Sequence, residues 1–356
     1  MPKVGRSRRN RGGASLPGTP NKLIESPPPA EEARAADVLS GVLQAVRLSG
    51  SLQFCFAPTG VWRTDASPSL ASLAGPEDAT PFHIVVQGRC WLKIEDRVVD
   101  LDEGDVVVFP FGTGHQLGVG QDGPLVAPIN DLPPRPWREV PVLRYGDGEG
   151  PVRLLCGYLK FAAARFRPLR DALPTMLHVR TRGDGPSWLG AAIAQIVAEV
   201  DQPRPGGLSV LERLTEIIFI EVLRRRVAAT PAEARGWLAA TANPALARCL
   251  ALIHAEPSRD WSLGELAAAA GLSRSAMSER FDSVLGTSPM RYIRDWRLCL
   301  AGVALGASDR AVATIASEAG YASEAAFNRA FTRAQGVPPA AWRKLARQSG
   351  ASAREE

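Results

Sequence analysis

No apolar run in this chain approaches the ~20 residues that a membrane-spanning helix requires, and its start lacks the apolar core of a secretory signal. Cysteine is scarce too: five among 356 residues, scattered and without a CxxC pair. That excludes a disulfide framework and a zinc-finger signature, and a reducing cytoplasm is the expected compartment. The first 36 residues are almost without large apolar side chains. Between Met1 and Lys22 they hold Lys3, Arg6, Arg8, Arg9, Arg11 and Lys22 but no acid. Such a segment cannot bury enough surface to offset the entropy of ordering. It reads as a disordered, basic, Pro/Gly-rich tail, either a plain leader or an arm that adds nonspecific affinity for phosphates. The net charge of +5 suits a polyanionic partner but is too small to decide anything alone.

What the chain does contain is one pattern written twice. In GLSRSAMSERFDSVLGTSP, Ser273 is followed by Met277, Phe281, Gly286 and Pro289; in GYASEAAFNRAFTRAQGVPP, Ser323 is followed by Phe327, Phe331, Gly336 and Pro339. The spacing is the same in both. Leu263, Leu266 and Ala267 before the first copy, and Val312, Ile315 and Ala316 before the second, have the spacing of an apolar helix face. Gly271 and Gly320 then end that helix, and Ser273 and Ser323 are placed to cap the next. Two helices joined by a tight glycine turn form a helix-turn-helix. With Met277 and Phe281 inward, Ser275, Ser278 and Glu279 point outward; with Phe327 and Phe331 inward, Glu324, Ala325, Asn328 and Arg329 do. In such units the second helix enters the major groove. There Arg329 can grip guanine, Asn328 adenine, Glu279 cytosine N4, and Ala325 a thymine methyl.

These residues, with the closing signature AxxxGYxSEAAFxRAFxRxxGxxPxxWR from Ala316 to Arg343, resemble the double helix-turn-helix DNA-binding domain of the AraC/XylS transcription regulators. The resemblance implies an all-α DNA-binding domain over 243–347, double-stranded DNA and RNA polymerase as partners, and activation as the common role. It also implies a rigid helix between the two units, for which Pro289 to Leu305 is the candidate. Its length of roughly 26 Å, at about 1.5 Å per residue, helps to set two recognition helices into successive major grooves.

Ahead of this domain, Val38, Leu39, Val42, Leu43 and Val46 form an amphipathic helix. Short β-like runs follow: SLQFCFA, FHIVVQG, CWLKIE, VVDL, DVVVFPF and VRLLCGYLKF. An all-β barrel or jelly roll is expected. Gly104 to His115 fits G(x)5PxG(x)2H and resembles the second motif of cupins, so residues 37–173 are similar to the cupin sensor domain of one branch of the same regulators. Enzymatic cupins hold a metal on two His, a Glu and a third His. Here Val85 stands where an HxH pair starting at His83 needs its second His, so His83 and His115 fall short of the ligand set of zinc or iron. No metal, cofactor or catalytic residue is assigned. A metal-dependent cupin enzyme fused to a DNA-binding domain is the alternative. His83 and His115 are either hydrogen-bonding groups of an effector pocket or histidines satisfied within the barrel. Cys55, Cys90 and Cys156 are either small core residues or an oxidant-sensing thiol set.

Residues 174–228 form a helical bridge of two segments, Ser187 to Val200 and Leu208 to Val227. In the second, Leu211, Leu214, Ile217, Ile218, Glu221 and Val222 make a stripe with Arg224, Arg225 and Arg226 at its end. The stripe packs on the barrel, dimerises the chain, or both; the resemblance favours a homodimer. Residues 229–242 read as a linker and 348–356 as a disordered tail. The expected fold class is α+β and multidomain: a cupin-like β-barrel with a helical dimerisation segment, then an all-α double helix-turn-helix. The expected function is a cytoplasmic, sequence-specific transcription regulator that senses a small molecule or oxidant.

Overall fold

The computed structural model describes residues 37–45, 48–67, 79–134, 136–146, 152–161, 166–181, 188–231 and 234–355; the basic tail at 1–36 lies outside them. A first helix, α1 (Val38–Ala45), precedes eight strands. These are β1 (Leu48–Pro58), β2 (Trp62–Asp65), β3 (Ala79–Gln87), β4 (Arg89–Ile94), β5 (Arg97–Asp102), β6 (Val106–Val108), β7 (Gln116–Val119) and β8 (Leu125–Val126). Next come β9 (Val142–Tyr145), β10 (Arg153–Phe161), the short α2 (Arg167–Arg170) and β11 (Leu177–Val179).

The strands form two sheets, ordered β11-β6-β3-β10-β1-β9 and β5-β4-β7-β2-β8. Among the described residues no ladder joins one sheet to the other, so of the expected barrel or jelly roll the chain takes the two-sheet form and not a closed barrel. The side-chain period of two decides what each face of a sheet meets. On β3, Phe82 and Ile84 face one way, and His83 and Val85 the other; on β10, Leu155 opposes Cys55 and Ile84 while Cys156 opposes Phe54 and His83. One face of the six-stranded sheet packs on the other sheet through Phe56, Trp62, Leu92, Phe109, Leu117 and Leu154. Its opposite face, with Cys55, Ile84 and Leu155, is covered by helices. A sheet buried on both faces needs near-continuous apolar runs, which is why FHIVV and VRLLC read as unbroken rather than alternating.

The covering helices are α3 (Trp188–Asp201) and α4 (Gly207–Ala228). On α4, Leu211, Ile218, Phe219, Val222 and Leu223 are all buried within the chain. Of the uses expected for this stripe, packing on the protomer's own sheet accounts for most of its apolar residues, and Glu221 pairs with Arg225 at 3.0 Å. The supposed linker also carries structure. Its second half is α5 (Trp237–Ala242), with Trp237, Leu238, Ala239 and Ala240 buried.

The C-terminal helices are α6 (Pro244–Ala255), α7 (Leu263–Ala269), α8 (Arg274–Leu285), α9 (Pro289–Ala307), α10 (Val312–Glu318), α11 (Glu324–Gln335) and α12 (Pro339–Glu355). The last of them runs through most of the expected tail. α7/α8 and α10/α11 are the two helix-turn-helix units, and α9 is the connecting helix. None of the described helices is long and apolar enough to cross a membrane.

The two units differ in what holds them. Met277 and Phe281 of the first, with Tyr292 and Trp296 of the connecting helix, belong to the same continuous core as α1, the outer face of the six-stranded sheet and α3 to α5. At the junction Phe166 meets Tyr292 and Trp296 edge-on at centroid distances of 5.4 and 5.0 Å, and His254 stacks on Trp296 at 4.4 Å. The Tyr292 hydroxyl accepts from Trp237 Nε1 at 2.8 Å and lies 2.8 Å from His254 Nε2. A Cβ on Gly41 of α1 would come within 3.0 Å of the His254 Cβ, so glycine permits this close approach. The second unit has a separate, smaller core of Leu298, Leu305, Ile315, Phe327, Phe331 and Trp342 with their neighbours.

Candidate nucleic-acid interface and buried histidine pocket

In both helix-turn-helix units the turn and cap are built alike. Gly271 and Gly320 have φ of 68° and 83°, left-handed values that cost an L side chain energy and glycine almost none. Ser273 Oγ then accepts from Ala276 N and Ser323 Oγ from Ala326 N, both at 3.2 Å. Each bond satisfies one of the orphan amides at a helix start. Replacing Ser323 by Ala is expected to cost about 1 kcal/mol, measured as a lower urea midpoint for the second unit. An unchanged midpoint would mean water caps that helix equally well.

Met277, Phe281, Phe327 and Phe331 are fully buried, which fixes the opposite faces. Ser275, Glu279, Glu324, Ala325 and Arg329 are exposed, and Ser278 and Asn328 are half-buried. All seven expected contact residues thus lie on the outer sides of α8 and α11. A basic cleft had no signal in the sequence, because its walls come from three separate segments. Arg167 of α2, Arg291 and Arg294 of α9, and Arg333 of α11 border a cavity of about 430 Å³ in which Asp295 is the only acid among the lining residues. Asp295 lies 3.9 and 3.6 Å from Arg291 and Arg294. The cleft therefore keeps an excess of positive charge.

The other candidate site lies between the sheets. His83 and His115, from β3 and the segment before β7, meet Nε2 to Nε2 at 2.7 Å. His115 Nδ1 is 2.8 Å from the Thr113 carbonyl, and His83 Nδ1 is 3.1 Å from Cys156 Sγ. A carbonyl can only accept, so His115 carries its proton on Nδ1 and its Nε2 is an acceptor. His83 must then donate from Nε2, which leaves its Nδ1 to accept from the Cys156 thiol. The result is a directed chain from Cys156 through His83 and His115 to Thr113. Phe109 stacks on the His115 ring at 3.7 Å and 8°. Burial depresses His83 well below the usual imidazole range and His115 to about 4; it raises the Cys156 thiol. Every member of the chain is neutral at pH 7.

Cys156, His83 and His115 line a cavity of about 80 Å³ with Phe54, Phe56, Leu117, Ile129 and others, and no Asp, Glu, Lys or Arg is among the lining residues. Both ring nitrogens of each histidine are engaged. Among the described residues no three His, Cys, Asp or Glu are placed to share a metal, and Cys156 meets the opposite edge of His83 from the edge that meets His115. The other cysteines are positioned differently. Cys55 faces the helical layer, accepting from Arg153 Nε at 3.1 Å, so Cys55 and Cys156 project from opposite faces of one sheet. Cys90 lies in the intersheet core with Cys156, and burial pushes its thiol up to about 12. All five cysteines are buried, and none of them is in a disulfide.

Residues 37–228 match the cupin family and residues 266–345 the helix-turn-helix domain family. A putative AraC-like transcription regulator of Streptomyces antibioticus is 30% identical over 86% of this chain and 98% of its own length. Another, from Streptomyces lividans, is 31% identical over 74% of this chain and 86% of its own. The HTH-type transcriptional regulator AlkR of Acinetobacter baylyi is 28% identical over 83% and 95%. The solved DNA-binding domain of AdpA, crystallised with a target DNA, is 30% identical over 29% of this chain and 92% of its own, with a TM-score of 0.27. With the cupin match spanning more than half of the chain and a relative of this identity along most of it, the chain belongs to the AraC-like transcription regulators, with a cupin domain ahead of its helix-turn-helix DNA-binding domain.

Proposed function

We propose that this regulator reads its operator mainly with α11 and less with α8, and that the cavity between its sheets receives the signal. The observation that carries the DNA reading is the pair of serine-capped second helices, each anchored by two buried apolar side chains and offering its outer face to solvent. On α11, Arg329 and Asn328 supply the donors that read guanine and adenine, and Ala325 an apolar contact to a thymine methyl. Ser275 and Ser278 on α8 have shorter reach, and Glu279 and Glu324 are restricted to cytosine N4 because phosphates repel them. The cleft bordered by Arg291, Arg294 and Arg333 supplies charge for the DNA backbone between the two insertions.

Arg329→Ala is expected to cost about 1–3 kcal/mol at one base position and relax specificity there. The measurement is competitive binding of purified protein to operator variants at fixed salt. Equal weakening on every sequence would instead make Arg329 a phosphate contact.

On the sensing side, His83, His115 and Cys156 form the polar wall of a pocket for a small-molecule effector. Cys55 and Cys90 belong to the same proposal only as thiols that an oxidant reaches after local opening. The reading also includes a homodimer and contact with RNA polymerase, with activation as the outcome. For a dimer, Leu208, Val210 and Ile217, all exposed on α4, are the apolar positions that the protomer leaves open. Effector binding acts by favouring one arrangement of cupin domain and helix-turn-helix units over another, through the shared aromatic junction at Phe166, His254 and Trp296.

A further inference from the structure

We propose that Cys156 is a covalent capture site for small, uncharged, conjugated carbonyl compounds, with His83 as the proton acceptor. The inference rests on the reading of the intersheet cavity as the effector pocket and names the class of molecule it takes. Three features of the site point there. The thiol is oriented, because the directed chain leaves His83 Nδ1 as an acceptor 3.1 Å from Sγ. The base is backed, because His83 Nε2 bonds His115, whose own Nδ1 ends on the Thr113 carbonyl. And the cavity beside them is apolar and without a charged wall residue, so it takes an uncharged molecule and rejects anions.

The cavity volume, about 80 Å³, is near half of the ~150 Å³ that holds benzene in an apolar protein cavity, so the ligand has few heavy atoms. A thiol and an imidazole in hydrogen-bond contact are the parts of an activated nucleophile. Here the pair rests neutral, and the proton leaves only as a bond forms. In the step, Sγ bonds the β-carbon of the unsaturated carbonyl compound while the thiol proton passes to His83 Nδ1. The C=C π pair moves toward the carbonyl as an enolate, and His83 returns the proton to the α-carbon. Every atom of both reactants remains in the thioether adduct, and no oxidant or reductant takes part.

Neither Cys55 nor Cys90 has this arrangement. Cys55 is held by a guanidinium on the far side of the sheet, and Cys90 is buried without the cavity's access.

The test treats full-length protein with crotonaldehyde at neutral pH and follows the adduct by intact-mass spectrometry and peptide mapping. The expected result is one adduct, on Cys156, with Cys156→Ser unlabelled and iodoacetate, a charged electrophile of similar size, reacting at least tenfold more slowly than with an unfolded control. His83→Gln, checked for folding by its thermal melt, is expected to slow the adduct by about 100-fold, the contribution of a positioned base. Labelling of Cys55 or Cys90 at the rate of Cys156, or equal access for iodoacetate, overturns the proposal even if the His83 variant fails to fold. Operator affinity before and after labelling tests the underlying reading separately. An adduct on Cys156 that leaves DNA affinity unchanged upholds capture and removes the sensor role.

Discussion

The urea midpoint of the full-length protein is expected to fall steeply as pH drops from about 6.5 toward 4.5. His83, His115 and His254 are all buried, and burial depresses each of them, His115 to about 4 and His254 to about 3. An unfolded histidine titrates near 6.5. Their contribution is therefore fully present above that pH, where both states are neutral, and is lost as pH falls toward the native values, because the unfolded chain takes up protons that the native chain refuses. With three such groups the slope reaches about 4 kcal/mol per pH unit where all three differ. His254 sharpens the effect. Its Nε2 meets Tyr292, whereas its Nδ1 lies near the Val38 backbone without a full hydrogen bond, so a proton added there gains no carboxylate or solvent. Urea titrations at half-unit pH steps read this directly. A midpoint flat between pH 7 and 5 would mean that these rings are hydrated or charged in the native state.

Phe331→Ala is expected to unfold the second helix-turn-helix unit while leaving the remainder intact. Truncating a buried phenylalanine costs about 3–5 kcal/mol, and the core that contains Phe331 is small and separate from that of the first unit. Its ring sits 5.3 Å from Phe327 and 5.5 Å from Trp342, so the deletion removes contacts on both sides at once. Backbone amide resonances of α10 and α11 would collapse to unfolded positions, those of α6 to α8 would not, and operator binding would drop to a nonspecific level. Uniform destabilisation along the whole chain would show that the two units fold as one.

The helix-turn-helix units were legible because their determinants are local. A glycine turn, a serine cap and apolar residues four apart sit within one short window, and Ser273, Ser323, Phe281 and Phe331 occupy the places that this spacing predicts. The strands that carry the apolar runs were legible for the same reason. Their partners were not. Whether β5 pairs with β4 alone or also closes onto the other sheet depends on twist and register, which leave no mark on single residues, and so a barrel or jelly roll was expected where two open sheets stand. β2, β8 and β9 are too short to show a period. His83 and His115 were singled out separately; that they meet each other and Cys156 follows only from the pairing of β3 with β10 and the turn after Pro110. The apolar stripe on α4 shows a different limit. Its periodicity marks a buried face but carries no information on which surface does the burying.

The packing of α1 against α6 has a consequence for how the chain is made. Val38 and Gly41 are synthesised well before His254, which packs on them. Domains generally fold from the N-terminus during synthesis, but this cupin domain must wait with part of its apolar surface uncovered until the first helix-turn-helix unit arrives. A fragment ending at the close of α4 keeps that surface open permanently, and such exposed patches drive association. The cupin domain expressed alone should therefore aggregate where one extended through α9 stays monodisperse.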